Sequence, residues 1–270
     1  MRVPGRVPSV YARCRVVGIA ILFWQIGGTR QAAGEWADVR VAGPFVCRAE
    51  FSLQGSEVIL DELAQLQEDL VRVLGVSPAQ EYVEIYLFQS ESSYRRYLKA
   101  FFSEVPYRRA LYIKRGGPGV VLAFNSRELA TDLRHECTHA LLHAVLPMVP
   151  LWLDEGLAEF FEVSPSDRAY GNPHLGKVRW NARFGVKAAV GKLENKGEVA
   201  SMHAADYRDA WAWVHFMLYG SRDGHEELVR YLRDIANGVP PGSLGERLAG
   251  RVSGLDQAYL SHFRGWVPPR

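Results

Sequence analysis

Residues 126–163 read SRELATDLRHECTHALLHAVLPMVPLWLDEGLAEFFEV. Ser126 followed by Glu128 and Leu129 is a helix opening, and the apolar residues Leu133, Ala140, Leu141 and Leu142 continue it as a buried helix to about Val145. Pro147 and Pro150 halt it, and a second helix is expected from about Leu151 to Val163. Inside the first helix lies His135-Glu136-Cys137-Thr138-His139. Four residues make slightly more than one helical turn, so both imidazoles leave the same face, with Glu136 beside them. Such groups on a buried helix are costly to bury without a partner. A metal ion supplies one: zinc suits two neutral imidazoles plus a carboxylate, with a fourth position left for water.

Outward from this stretch, the chain divides into two patterns. Before it, the apolar residues of 38–53 suggest one or two strands broken at Gly43-Pro44, and 56–74 has helical spacing that ends before Gly75. Residues 82–88 alternate as a strand, and Ser90 begins a helix through about Phe102. The runs Ala110–Ile113 and Val120–Phe124 flank Gly116-Gly117-Pro118-Gly119 and read as a hairpin. After it, an irregular stretch from Ser164 to Ser201 precedes helices near 207–219, 226–235 and 255–263. The expected fold is therefore α+β: a small mixed sheet on the helix carrying the histidines, followed by a mainly helical part. The expected division is a leader over 1–34, an α/β part over 35–146 ending in the histidine helix, and a helical part over 147–270.

H-E-x-x-H followed on the next helix by Trp152-Leu153-Asp154-Glu155-Gly156-Leu157-Ala158 resembles the gluzincin zinc metallopeptidases, and is most similar to bacterial exported domains of the peptidase-MA-like group. The resemblance covers mainly 111–219. It implies a zincin-like fold and one zinc ion held by His135, His139 and Glu155, with Glu136 as the general base of peptide hydrolysis. The 15 residues between His139 and Glu155 leave room for the reversal between two packed helices. It further implies that Glu159 orients a ligand imidazole through its second nitrogen. Tyr207 would donate to the tetrahedral oxygen, with His203 or His215 as alternative donors. The run Gly119–Phe124 would be the edge strand that pairs with an extended substrate. Asp154 and Glu162 read as ordinary surface acids or caps. His143 is not expected as a ligand, because Leu142 stands where the metzincin pattern needs a glycine. The G-x-M-E-N segment of the aminopeptidase-type members is absent, so an endopeptidase or another amide hydrolase fits as well as an aminopeptidase.

Composition narrows the partners. The formal charge is +2, but Arg2, Arg6, Arg13, Arg15 and Arg30 all fall in the first 34 residues, which hold no acid; the rest has 27 basic against 30 acidic residues. With no basic run interleaved with aromatics, nucleic acid is not an expected partner; a peptide or protein substrate is. The leader runs from an arginine-containing start through an apolar core at 16–24 to small residues near Ala32-Ala33-Gly34, the order of a secretory signal peptide. Its core is shorter than the roughly 20 residues of a bilayer span, so export is expected and membrane attachment only if the leader stays uncleaved. Cys47 and Cys137 read as small buried hydrophobes or an oxidised pair. The competing functional class is a zinc-bearing interaction module of the cell envelope without turnover; retention of Glu136 argues for the enzyme.

Overall fold

The structure is a computed structural model that describes residues 36–268. The leader expected over 1–34 lies outside them. Side-chain alternation along the strands sorts two apolar clusters onto opposite faces of one sheet. In β3 (Val83–Phe88), Val83, Ile85 and Leu87 face the larger cluster, while Phe88 faces a smaller one with Tyr94, Leu98, Leu111 and Leu122. The sheet has β1 (Asp38–Ala42), β2 (Phe45–Ala49), β3, β4 (Ala110–Ile113) and β5 (Val120–Phe124) in the order β1-β2-β3-β5-β4. β2, β3 and β5 run parallel, and β1 and β4 are antiparallel to their neighbours.

Two helices flank this sheet for reasons visible in their sequences. α1 (Glu57–Leu74) buries Leu63, Leu66, Leu70 and Leu74 at spacings of three and four, and ends on Gly75 in the left-handed conformation with φ 67°. The β1–β2 turn lies directly on α1: a Cβ at Gly43 would stand 2.9 Å from the Ala64 Cα. α2 (Glu91–Phe101) starts at a capping box in which the Ser90 hydroxyl accepts from the Ser93 amide at 3.2 Å. It covers the smaller cluster.

α3 (Leu129–Val145) lies against β4, β5, α1 and α4 (Leu151–Phe161), and so joins the sheet to the helical part. That part is built on α7 (Ala204–Tyr219), where every residue from Ala210 to Met217 is buried. α4 packs so closely on α7 that a Cβ at Gly156 would stand 2.8 Å from the Ala210 carbonyl oxygen. α8 (Arg222–Ala236), α9 (Leu244–Arg251) and α10 (Leu255–Gly265) complete it, with α5 (Leu175–Arg183) and the short α6 (Val190–Glu194) inside the stretch read from sequence as irregular. The fold is α+β, a small mixed sheet followed by a mainly helical part.

One expectation about the sheet is corrected. Val120–Phe124 is an interior strand between β3 and β4; the edge beside α3 is β4. Cys47 and Cys137 are both buried and unpaired, and burial pushes the Cys47 thiol up to about 12. Among the described residues no helix is long and apolar enough to cross a membrane.

Candidate metal centre

α3 presents His135 and His139 one turn apart, and α4 brings Glu155 against them. The two Nε2 atoms are 3.3 Å apart, and the Glu155 Oε2 lies 3.6 Å from His135 Nε2 and 3.7 Å from His139 Nε2. A tetrahedral zinc with bonds of roughly 2.0–2.1 Å separates its ligands by about 3.3 Å. Three donors converging at such spacings, with Glu155 only 5% exposed, form a set that fits this group. The electrostatics agree. Burial opposes charge on His135, but Glu155 and Glu162 outweigh it and raise its pKa to about 10; for His139, Asp154 and Glu155 outweigh burial and push the pKa well above the ordinary imidazole value. Glu155 is itself held down to about 2 by the two imidazoles, against its burial. The carboxylates gathered around the two imidazoles favour positive charge between the helices.

The outer nitrogens of the two imidazoles are held by residues other than the one expected. His135 Nδ1 meets Glu162 Oε2 at 2.9 Å, and Arg134 fixes Glu162 in turn by donating from Nε to its carbonyl oxygen. Glu159, assigned this role from the resemblance, instead binds His174 Nε2 at 3.0 Å. Helix geometry gives the reason: at 100° per residue, position 162 falls within about 20° of Glu155 and two turns on, whereas 159 is turned by about 40°. His139 Nδ1 lies 3.0 Å from Asp154 Oδ1, off the line of a straight hydrogen bond, and Asp154 Oδ2 meets His143 Nε2 at 2.9 Å. Asp154 is thus a buried bridge between two histidines, not a surface acid. His143 stacks on Tyr112 of β4, with ring centroids 6.0 Å apart and planes 17° from parallel.

His135, His139 and Glu155 open into a cleft of about 450 Å³. Glu136 lines it beside the histidines; β4 forms one wall, the 104–108 loop continues that wall, and Val199 and Ala200 stand among its other lining residues. Tyr207 is half-buried in the first turns of α7, and its phenol is raised by burial and by the nearby Glu155 carboxylate, with the Arg108 guanidinium acting in opposition. The alternative donors are engaged elsewhere. His203 caps α7 at the surface, and His215 is enclosed by aromatic rings, its Nε2 facing the Ala169 carbonyl at 3.2 Å and its Nδ1 facing His262 Nε2 at 3.0 Å.

The roles of Asp154 and Glu162 were open to discovery from the sequence only through the wheel positions of α4 relative to Glu155. The pairing of Asp154 with His139 depends on the crossing of two helices, which no local signal encodes.

A family model described as "Protein of unknown function (DUF1570)" matches residues 129–241. The match begins at the first residue of α3 and runs through α8, so it includes His135, Glu136, His139, Glu155 and Tyr207 but leaves out the sheet. No curated protein matches the chain.

Proposed function

We propose that the chain is a zinc-dependent peptidase that acts outside the cytoplasm. The observation that carries this reading is the convergence of His135, His139 and Glu155 on one point at the floor of a cleft, with Glu136 open to the same cleft. Bound there, zinc would polarise the attacked carbonyl and bring the pKa of a water toward roughly 7. Glu136 takes the proton of the attacking water and returns it to the leaving amine. Tyr207 donates its hydroxyl hydrogen to the oxygen that gains charge, a contribution that preorganised donors make at little cost when the reaction occurs. The unpaired edge of β4 offers backbone groups to an extended chain. Glu162 and Asp154 keep the two imidazoles oriented. The extracytoplasmic location rests on the signal-like pattern of residues 1–34.

The test is zinc content of the purified protein together with cleavage of a mixed quenched-fluorescence peptide library, with and without chelator. Chelator-sensitive cleavage by wild type, loss of cleavage with retained zinc in Glu136→Gln, and loss of both in His135→Ala are expected. Zinc binding with no cleavage of any peptide would refute hydrolysis and leave a zinc-bearing interaction module. Protein that takes up no zinc would remove the basis of the proposal.

A further inference from the structure

The charged side chains along the β4 wall nearly all have partners. Arg109 is clamped on Asp132 by two contacts of 2.7 and 2.6 Å. Arg115 pairs with Glu104 and lies over the Phe102 ring, 4.9 Å from its centroid. Lys114 donates to the carbonyl of His143 at 2.9 Å, in the last turn of α3. Glu104, the acid on this wall, is thereby neutralised.

Arg108 is the exposed cation of the cleft lining, and among the described residues it, like Lys114, has no carboxylate within ion-pair distance. Its backbone is nevertheless fixed, because the hydroxyl of the buried Tyr94 donates to the Arg108 carbonyl at 2.9 Å. It stands two residues before β4, at the point where an extended chain on that edge would pass, and its guanidinium neighbours Tyr207. A cation held at its main chain, lining a cleft, with the Tyr207 hydroxyl and no carboxylate of the protein against it, is a site for an anion carried by the ligand. A guanidinium presents a planar fork of donors that matches a carboxylate through two parallel hydrogen bonds.

We infer that Arg108 is a specificity-determining residue that binds a carboxylate of the substrate close to the scissile bond. This rests on the peptidase reading above and narrows it to anionic peptides. The carboxylate has two chemical sources, an Asp or Glu side chain or the free C-terminus of a short peptide, and both offer the same pair of oxygens.

The experiment uses short alanine-based peptides in matched sets: Glu against Gln at each position flanking the cleaved bond, and free against amidated C-terminus. Cleavage by wild type and by Arg108→Gln is measured alongside binding of the same peptides to zinc-loaded Glu136→Gln, with and without Arg108→Gln, by fluorescence anisotropy. A charge-assisted pair should favour the carboxylate member by about 10- to 100-fold in kcat/KM or Kd. Arg108→Gln should reduce that ratio to about one; the ratio within each matched set is the readout, so a change in rate common to both members does not enter it. Preference confined to Glu against Gln identifies a side-chain carboxylate, and preference confined to the free C-terminus identifies the chain end. Equal handling of both members by wild type overturns the inference while the peptidase reading stands, as does a preference that survives Arg108→Gln. If no peptide is bound or cleaved, both fall together.

Discussion

Replacing Gly156 by alanine puts a methyl group where α4 and α7 touch backbone to backbone. The added Cβ would lie 2.8 Å from the Ala210 carbonyl oxygen, 2.9 Å from its carbonyl carbon and 3.0 Å from Val214 Cγ2. Ordinary contact begins near 3.4 Å, so the helices must part by about 0.6 Å. Overpacking of this kind costs about 1–3 kcal/mol, and the better helix propensity of alanine offsets up to about 1 kcal/mol. Taking the middle of both ranges, a net loss of about 1–2 kcal/mol lowers Tm by about 2–8 °C in a chain of this size. The displacement also falls between two groups of the proposed site, since Glu155 is the neighbour of Gly156 on α4 and Tyr207 lies one turn before Ala210 on α7. Misplacement by a fraction of an ångström lowers kcat by about tenfold, while the donors on α3 and α4 keep the metal. Scanning calorimetry, zinc content and cleavage rates measure the three effects. Gly250→Ala in α9 is the control, because a Cβ there meets nothing within 4 Å; it should gain about 0.5–1 kcal/mol. Gly156→Ala with wild-type Tm and full turnover would refute the close approach of the helices and the dependence of the site on it.

Further outcomes can be measured on the same protein. Asp154→Asn keeps the shape but removes the charge beside His139, and should weaken zinc binding by about 10- to 100-fold, as should Glu162→Gln beside His135; Glu159→Gln should leave zinc affinity unchanged, and competition with a chelating dye distinguishes them. Tyr207→Phe should lower kcat by about 100-fold with zinc content and KM retained; equal losses in KM would indicate a role in ground-state binding instead. Burial holds His215 down to about 3 and His262 to about 4, both below their unfolded value of about 6.5. As pH falls the unfolded chain therefore binds protons first, and stability present at pH 7 is lost from about pH 6.5 downward, by about 2 kcal/mol at pH 5 from His215. Denaturant midpoints between pH 7.5 and 5 should show this slope, reduced in His262→Gln, and an identical slope in the variant would rule out the pair as its source.

Much of this architecture was readable from local patterns. The apolar spacing of 56–74 gave α1 together with its glycine stop, Ser90 gave the start of α2, and the Gly-rich turn gave the β4–β5 hairpin. What failed was non-local. Both strands of that hairpin are apolar, so nothing in their composition says which one pairs with β3; the order β3-β5-β4 follows from the parallel register of distant segments. α5, in Leu175–Arg183, combines glycine, asparagine and tryptophan in nine residues, too short and mixed to carry a helical period. At the site, His135 and His139 sit one helical turn apart and their shared face was legible, whereas Glu155, on the next helix, was expected only from the family resemblance; the structure brings the three side chains together. The partners of their outer nitrogens depend on how α3 crosses α4, and the assignment to Glu159 failed there.

All the groups that converge on the proposed ion, and those that steady them, fall within the 28 consecutive residues from His135 to Glu162. The sheet beside them is assembled from strands up to 86 residues apart, Asp38 to Phe124. An ion at this site spans a short loop between neighbouring helices, so its capture removes little chain entropy beyond what packing has already removed. Its effect on the folded state is then one of mass action, scaling with free ion concentration over Kd. Such an ion would be a guest of a scaffold that α7 and the sheet hold in place, in contrast to small domains whose fold exists only around their ion.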